Sequence, residues 1–546
     1  MILPLMNREP IIGHMIRPWS GIGPELGLQT PFELFACSRA LLLAAFTSAA
    51  PVLFSHSAVL QPGAFAHHIA RFNSMEAEQV SNFVPNKEAW TWLQENIPLF
   101  ECPDRELEEI YYYRWWSFRK HLAKTPKGFV FTEFLTPVNH AGEFNTISCA
   151  AGFHVTEGRW LHNQSYVDDY INFWLRGNSG KPQPHFHKYS SWFATAVFER
   201  YCVNGDTTSV VGLLDDLVSD YRTWERERLL TNGLFWQYDV RDGMEESISG
   251  ARTNKNTRPT INSYMFGNAH AIAAIARLAN KPHLADEFES KATKLRQLTQ
   301  DRLWDSREKF FKVRFEDGSL SDAREAIGFI PWMFDLPDAG KGFEAAWPQL
   351  MDSRGFSAPA GFTTAERRHP KFRSHGVGRC EWDGAVWPFA TSQMLLALGN
   401  LLRDYQQSVV TKTDYFDSLL TYVHSQHAEN KPYIGEYLDE VTGDWINGKN
   451  DRSRHYNHST FADLIITGLA GLRPSADRQL EVSPLLPSDA WDWFCLDGVK
   501  YRGHMLTILW DRTGSRYGVG AGLRVLEEGK TISHSDKLER VRGTLP

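Results

Sequence analysis

Paired cysteines are missing. The six cysteines of this 546-residue chain (Cys37, Cys102, Cys149, Cys202, Cys380, Cys495) lie far apart with no CxxC spacing, which argues against a zinc ribbon and a disulfide scaffold. A basic excess is missing too. With 58 basic against 65 acidic residues and a net charge of −7, no basic stripe interleaves with aromatics, so neither nucleic acid nor an anionic membrane surface is an expected partner. The apolar run 40–54 is too short to span a bilayer. No phosphate loop, dinucleotide fingerprint or nucleophilic Ser or Cys motif stands out; the cluster Gly518, Gly520 and Gly522 lacks a following helix. His185 and His187 have no nearby Cys or acidic pattern to complete a metal site, so no metal or other cofactor is expected.

What is present is aromatic and acidic. The chain holds 19 Trp, 18 Tyr and 34 Phe, more than packing alone asks for, and flat rings suit the apolar faces of sugars. The segment 233–250 (GLFWQYDVRDGMEESISG) sets Trp236 and Tyr238 beside Asp239, Asp242, Glu245 and Glu246. A second segment, 431–449, repeats the mixture with Glu436, Asp439, Glu440 and Asp444 beside Tyr433, Tyr437 and Trp445. Glycoside hydrolysis needs two carboxyl groups with opposite tasks, and they can come from distant stretches. A small, roughly neutral carbohydrate is therefore the expected ligand.

Apolar spacings of three and four recur through 104–470 in about twelve helical patterns, near 104–123, 145–158, 164–176, 189–204, 207–230, 261–279, 282–304, 325–333, 340–351, 384–402, 411–428 and 457–470. Twelve helices paired by loops are the arithmetic of six hairpins, a mainly α (α/α)6 barrel; no fixed period supports a solenoid. The loops 233–260, 352–383 and 429–456 carry Trp, Asp, Glu, Arg and His, the composition of sites rather than of linkers. After 478 the pattern turns to short alternating runs broken by Gly and Pro, so 75–470 is expected to be the barrel and 471–546 a small β-domain. Residues 1–74 read as an extension. Within it, Arg39, the run 40–54 and Ala64-Phe65-Ala66 resemble a secretory segment, but 38 residues precede Arg39; a cytoplasmic chain is the expectation, secretion the alternative if 39–66 is a true signal. In the run Tyr111–Trp116 six large residues cannot all face one core; aromatic packing between barrel helices is the expectation, with Arg114 and Trp116 as a wall of the sugar pocket the alternative.

Taken together, 233–250, Trp382–Pro388 and 436–459 resemble the clan of (α/α)6 glycosidases that contains trehalase, the processing glucosidase I and mannosylglycerate hydrolase, and most the mannosylglycerate-hydrolase-like branch. The resemblance implies a catalytic acid in Gly243-Met244-Glu245-Glu246-Ser247, with Glu245 standing where the clan usually has Asp; Asp242 stays open as the alternative acid. It implies a catalytic base at Glu436, opening Glu436-Tyr437-Leu438-Asp439-Glu440-Val441-Thr442-Gly443. Sugar contacts would come from Trp236, Tyr238, Arg114, Trp116, Trp382, Asp383, Trp387, Tyr437, His455 and His458, with Asp383 at a place where the clan often has Arg. The expected activity is an exo-acting, inverting glycosidase. Two other classes compete: a sugar epimerase using histidines (His140, His154, His187, His270, His455, His458) and a non-catalytic sugar binder. Facing carboxylates at the barrel mouth favour hydrolysis, facing histidines epimerisation.

Overall fold

The structure, a computed structural model, describes residues 59–376, 378–447 and 451–546. The run 40–54 and most of the segment 39–66 lie outside them. Long helices cover Arg105–Lys120, Ser148–Gly158, Ser165–Arg176, Phe193–Asn204, Leu214–Arg228, Pro259–Leu278, Pro282–Leu303, Pro388–Asp404 and Lys412–Ser425. These coincide with the expected periodic segments. Three others take different forms: Ala326–Phe334 is a 3-10 helix interrupted by Pro331, the 340–351 pattern splits into two short turns, and Leu464–Leu469 is a π-helix. Proline removes a backbone donor and clashes with the preceding turn, which accounts for the first. Among the described residues no helix is long and apolar enough to cross a membrane.

The helix Arg105–Lys120 shows how the body is assembled. Asp104 caps it, its carboxylate accepting from Glu106 N and Leu107 N at 3.1 and 3.0 Å. All six residues of Tyr111–Trp116 are buried, contrary to the argument that they cannot share one core, because every residue of this helix from Ile110 on is enclosed. Tyr111 and Tyr112 donate to Pro98 O and Phe100 O on one flank. Arg114 donates to Tyr422, Gln426 and Ser459 on another, and the Trp116 indole N–H donates to Asn73 Oδ1. Packing reaches back before Met75: helix Ala66–Met75 sets Phe72 edge-on to Tyr113, ring centroids 5.4 Å apart.

The C-terminal strands form a five-stranded antiparallel sheet and a three-stranded one. Strands Trp493–Tyr501 and His504–Asp511 pair through a two-residue turn, Arg502-Gly503, both at positive φ (50° and 87°), the conformation a tight hairpin requires. The sheet's edge is not local. Leu99–Glu101 pairs antiparallel with Cys495–Asp497, so a strand from the front of the chain completes the β-layer, and one hydrophobic core runs through helices and sheet alike.

Helix Ser148–Gly158 packs against Phe193–Asn204 so closely that a Cβ at Gly152 would sit inside the Trp192 indole. Gly152→Ala should therefore destabilise the fold by about 1–3 kcal/mol. An exposed helix would gain about 1 kcal/mol from the same change, so the sign of the shift in urea unfolding reads out this contact.

Candidate functional site

The three loops singled out above do converge, and the backbone shows how. In the first, a single turn Asp239–Asp242 ends at Gly243, whose φ of +72° reverses the chain so that Gly243 and Glu245 both reach the same cavity. In the other two, Val386 and Leu438 exchange both backbone hydrogen bonds at 3.0 Å, zipping Trp382–Pro388 to the Glu436 segment. Trp387 then stacks on Tyr437 at 4.7 Å and 10°, and on its other side lies 4.7 Å from Trp382. Trp382 N donates to Glu245 O (3.4 Å), tying the first loop to the second.

These connections enclose a cavity of about 240 Å³ lined by three carboxyl groups, Glu133, Glu245 and Glu436. Aromatic walls come from Tyr189, Trp382, Trp387, Phe389 and Tyr456, and polar groups from His140, Arg452 and His458. The carboxyls sit in unlike surroundings. Burial raises the Glu245 carboxyl to about 7, with the charges of Asp239 and Glu436 adding to it. Glu436 Oε2 instead accepts from Arg452 Nη2 (2.8 Å) and Ser453 Oγ (3.2 Å). Although burial works against the Arg452 cation, Glu436 outweighs it and holds the guanidinium above its usual range. Glu133 is the most enclosed, 2 % exposed, and burial raises it to about 8. His458, buried against Trp387, Phe389 and Tyr456, is depressed to about 3 and stays neutral. The arrangement can present a protonated carboxyl, an ion-paired carboxylate and flat apolar walls to one small ligand.

Of the residues proposed from sequence, Glu245, Glu436, Trp382, Trp387 and His458 line this cavity. Tyr437 stands behind Trp387, its hydroxyl accepting from Cys380 N. The rest lie elsewhere. Asp242 is buried away from the cavity, accepting from Arg258 Nε at 2.6 Å and from Thr260 Oγ1, not paired with Arg241 or Arg252. Trp236 lies between Arg228 (4.7 Å) and Lys255 (5.4 Å) with Tyr238 against it, so neither ring reaches the cavity, and the raised state of Glu245 does not come from Trp236 or Asp242. Arg114 and Trp116 are spent on the core contacts described above. Asp383 accepts from His375 N, and His455 binds Glu76 and Tyr113. Of the other histidines weighed, His140 lines the cavity, whereas His154 and Tyr170, His187 and Asp220, and His270 and Glu289 form pairs outside it. Glu133, Cys149, Tyr189, Cys380, Phe389, Arg452 and Tyr456 were not anticipated. The mixture Thr132-Glu133-Phe134 carries no motif; only the Arg452–Ser453 pair, close behind the second acidic segment, offered a signal.

Residues 143–459 match the model of the mannosylglycerate hydrolase MGH1-like glycoside hydrolase domain, and 472–534 that of the C-terminal domain of glycosyl hydrolase family 65. A solved structure named as a sialidase is 52% identical over 89% of this chain with a TM-score of 0.88; the chain spans 45% of that protein's length. More distant likenesses, which speak for the fold alone, are an uncharacterized conserved protein from Thermus thermophilus and the GH78 family rhamnosidase of Bacillus sp. GL1. The first is 14% identical, with TM-score 0.50 over 65% of this chain and 98% of its own. The second is 13% identical, with TM-score 0.51 over 77% of this chain and 40% of its own.

The buried position of Asp242 makes a direct prediction. Asp242→Asn strands the Arg258 cation in the core and should cost about 3–5 kcal/mol of stability, the usual penalty for removing one partner of a buried pair. Thermal and urea unfolding check this; a variant as stable as the parent would show that the pair carries no structural weight.

Proposed function

The chain belongs to the mannosylglycerate hydrolase MGH1-like glycoside hydrolases, and from that premise we propose that Glu245 is the general acid and Glu436 the general base of an exo-acting, inverting glycosidase. The observation that carries the reading is the contrast between two carboxyls in one cavity: Glu245 raised to about 7 by burial, Glu436 held by Arg452 and Ser453. In this mechanism the protonated Glu245 donates to the glycosidic oxygen as the bond to the anomeric carbon breaks. Glu436 accepts a proton from a water that attacks the opposite face. An inverting pair stands roughly 6.5–9.5 Å apart to admit that water. No step calls on a cofactor. Trp382 would stack on the sugar, with Trp387 and Tyr437 stacked behind it, and the aromatic wall would exclude bulk water.

A cavity of about 240 Å³ suits a single sugar unit and not a long chain, which supports exo action on a small glycoside or an oligosaccharide end. The scaffold we read as an (α/α)6 barrel of six hairpins. Supporting this, consecutive helices such as Pro259–Leu278 and Pro282–Leu303 pack as pairs, and Arg105–Lys120, the first of the twelve patterns, meets Lys412–Ser425, the eleventh, and through Arg114 the Ser459 backbone in the twelfth, as neighbours in a closed ring would.

Glu245→Gln should slow hydrolysis of glycosides with poor leaving groups on the order of 10²–10⁴-fold while activated aryl glycosides suffer less. Glu436→Gln should abolish turnover of both. Because Glu245 must carry its proton, wild-type activity should fall as pH rises through about 7. Proton NMR of the first product should show the inverted anomer; a retained anomer overturns the assignment of Glu436 as a base.

A further inference from the structure

Glu133 is a third carboxyl in the cavity, and neither role above uses it. It follows strand Gly128–Phe131 and is clamped through its backbone: Glu133 N donates to Asn145 O (2.9 Å) and Asn457 N donates to Glu133 O (3.0 Å). The side chain is 2 % exposed, lines the cavity, and its Oε2 has no hydrogen-bond partner in the protein. A buried polar oxygen left unpaired costs stability, on the order of 1–3 kcal/mol, and such an atom calls for a ligand. Glu133, Glu245 and Glu436 face one guanidinium, Arg452, and it donates to Glu436.

Resting on the glycosidase reading of this cavity, we propose that Glu133 is its specificity-determining residue. Its carboxyl O–H donates to a hydroxyl oxygen of the bound sugar unit. The groups facing it are Glu245, Glu436, Arg452, Tyr456, Cys149, Tyr170 and Tyr189. The two glutamates oppose its ionisation, while Tyr456 and Arg452 favour it less strongly than burial disfavours it, so it keeps its proton up to about pH 8. Cys149 and the tyrosines are pushed up by burial and stay neutral through that range. His140 is depressed by burial and the Arg452 charge and is neutral there too.

The test uses the full chain. First, Glu133→Gln, whose amide keeps a donor, and Glu133→Ala, which keeps none, are assayed beside the wild type on a neutral aryl hexoside that it cleaves; KM should rise about tenfold in Glu133→Ala and change little in Glu133→Gln. Second, the free hexose released from that hexoside is titrated calorimetrically into Glu245→Gln, which removes the other titrating acid. Its Kd should weaken about tenfold from pH 7 to pH 9.5, and the dependence should flatten in Glu245→Gln/Glu133→Gln, whose amide keeps a donor. A Glu133→Ala enzyme that keeps the wild-type KM, or an alkaline weakening that survives in the double variant, overturns the proposal. If the double variant does not fold, the comparison of Glu133→Ala with Glu133→Gln decides alone. Should Glu245→Gln and Glu436→Gln keep full turnover, it is the glycosidase reading of the cavity that fails; should they lose it while the Glu133 results go the other way, only this inference fails.

Discussion

Everything at the cavity hangs on a buried polar seam joining the helix Ser148–Gly158 to the residues after 454. The Glu157 carboxylate accepts from the backbone N–H groups of Ala462 (2.9 Å) and Asp463 (3.1 Å) and from the Thr460 hydroxyl. Arg159 donates to Asp463 at 2.7 Å, the Trp160 indole adds a third donor at 2.6 Å, and His154 donates to Asn457 O at 2.6 Å. Charges taken out of water are tolerated only when fully paired, and breaking one partner costs more than the pair is worth. A seam of this kind allows one register, so Tyr456 and His458, held between its contacts, reach the cavity from a fixed backbone.

Within the cavity a single physical cause does two jobs. Low solvent access raises Glu245 and Glu133 toward neutrality, and it strengthens the ion pair of Arg452 with Glu436. Separate fates for like groups thus come from neighbours, not from residue type: the three carboxyls are all glutamates. The aromatic stack Trp382, Trp387 and Tyr437 acts on both sides, supplying the dry wall and, through Val386 and Leu438, locking the two loops that bear the charges.

The helical segments were legible because their apolar spacing persists over several turns, and the terminal strands because turn residues punctuate them. Glu245 and Glu436 were legible as members of short motifs in acidic, aromatic loops. Aromatic content misled where it was densest. Tyr111–Trp116 and Trp236–Tyr238 have the composition of a sugar platform, yet their rings are consumed by tertiary contacts that local sequence does not reveal. Glu133, Tyr189 and Tyr456 stayed hidden for the opposite reason: each arrives from a separate stretch with no neighbouring signal, and only the tertiary fold brings them to one cavity. Asp242 shows that a carboxylate three residues from one lining the cavity can face the core instead, where Arg258, at the start of the next long helix, decides its partner.

The pairing of Leu99–Glu101 with Cys495–Asp497 also sets an order of events during synthesis. A ribosome delivers the edge strand long before its partner, so the helices between them must remain soluble while one margin of the β-layer is still unmade. Low-contact-order helix pairs can form as they emerge. Closure of that margin waits for residues 495–497, and a nascent chain arrested before residue 495 would present Leu99 and Phe100, both buried in the finished protein, to chaperones instead of to their own sheet.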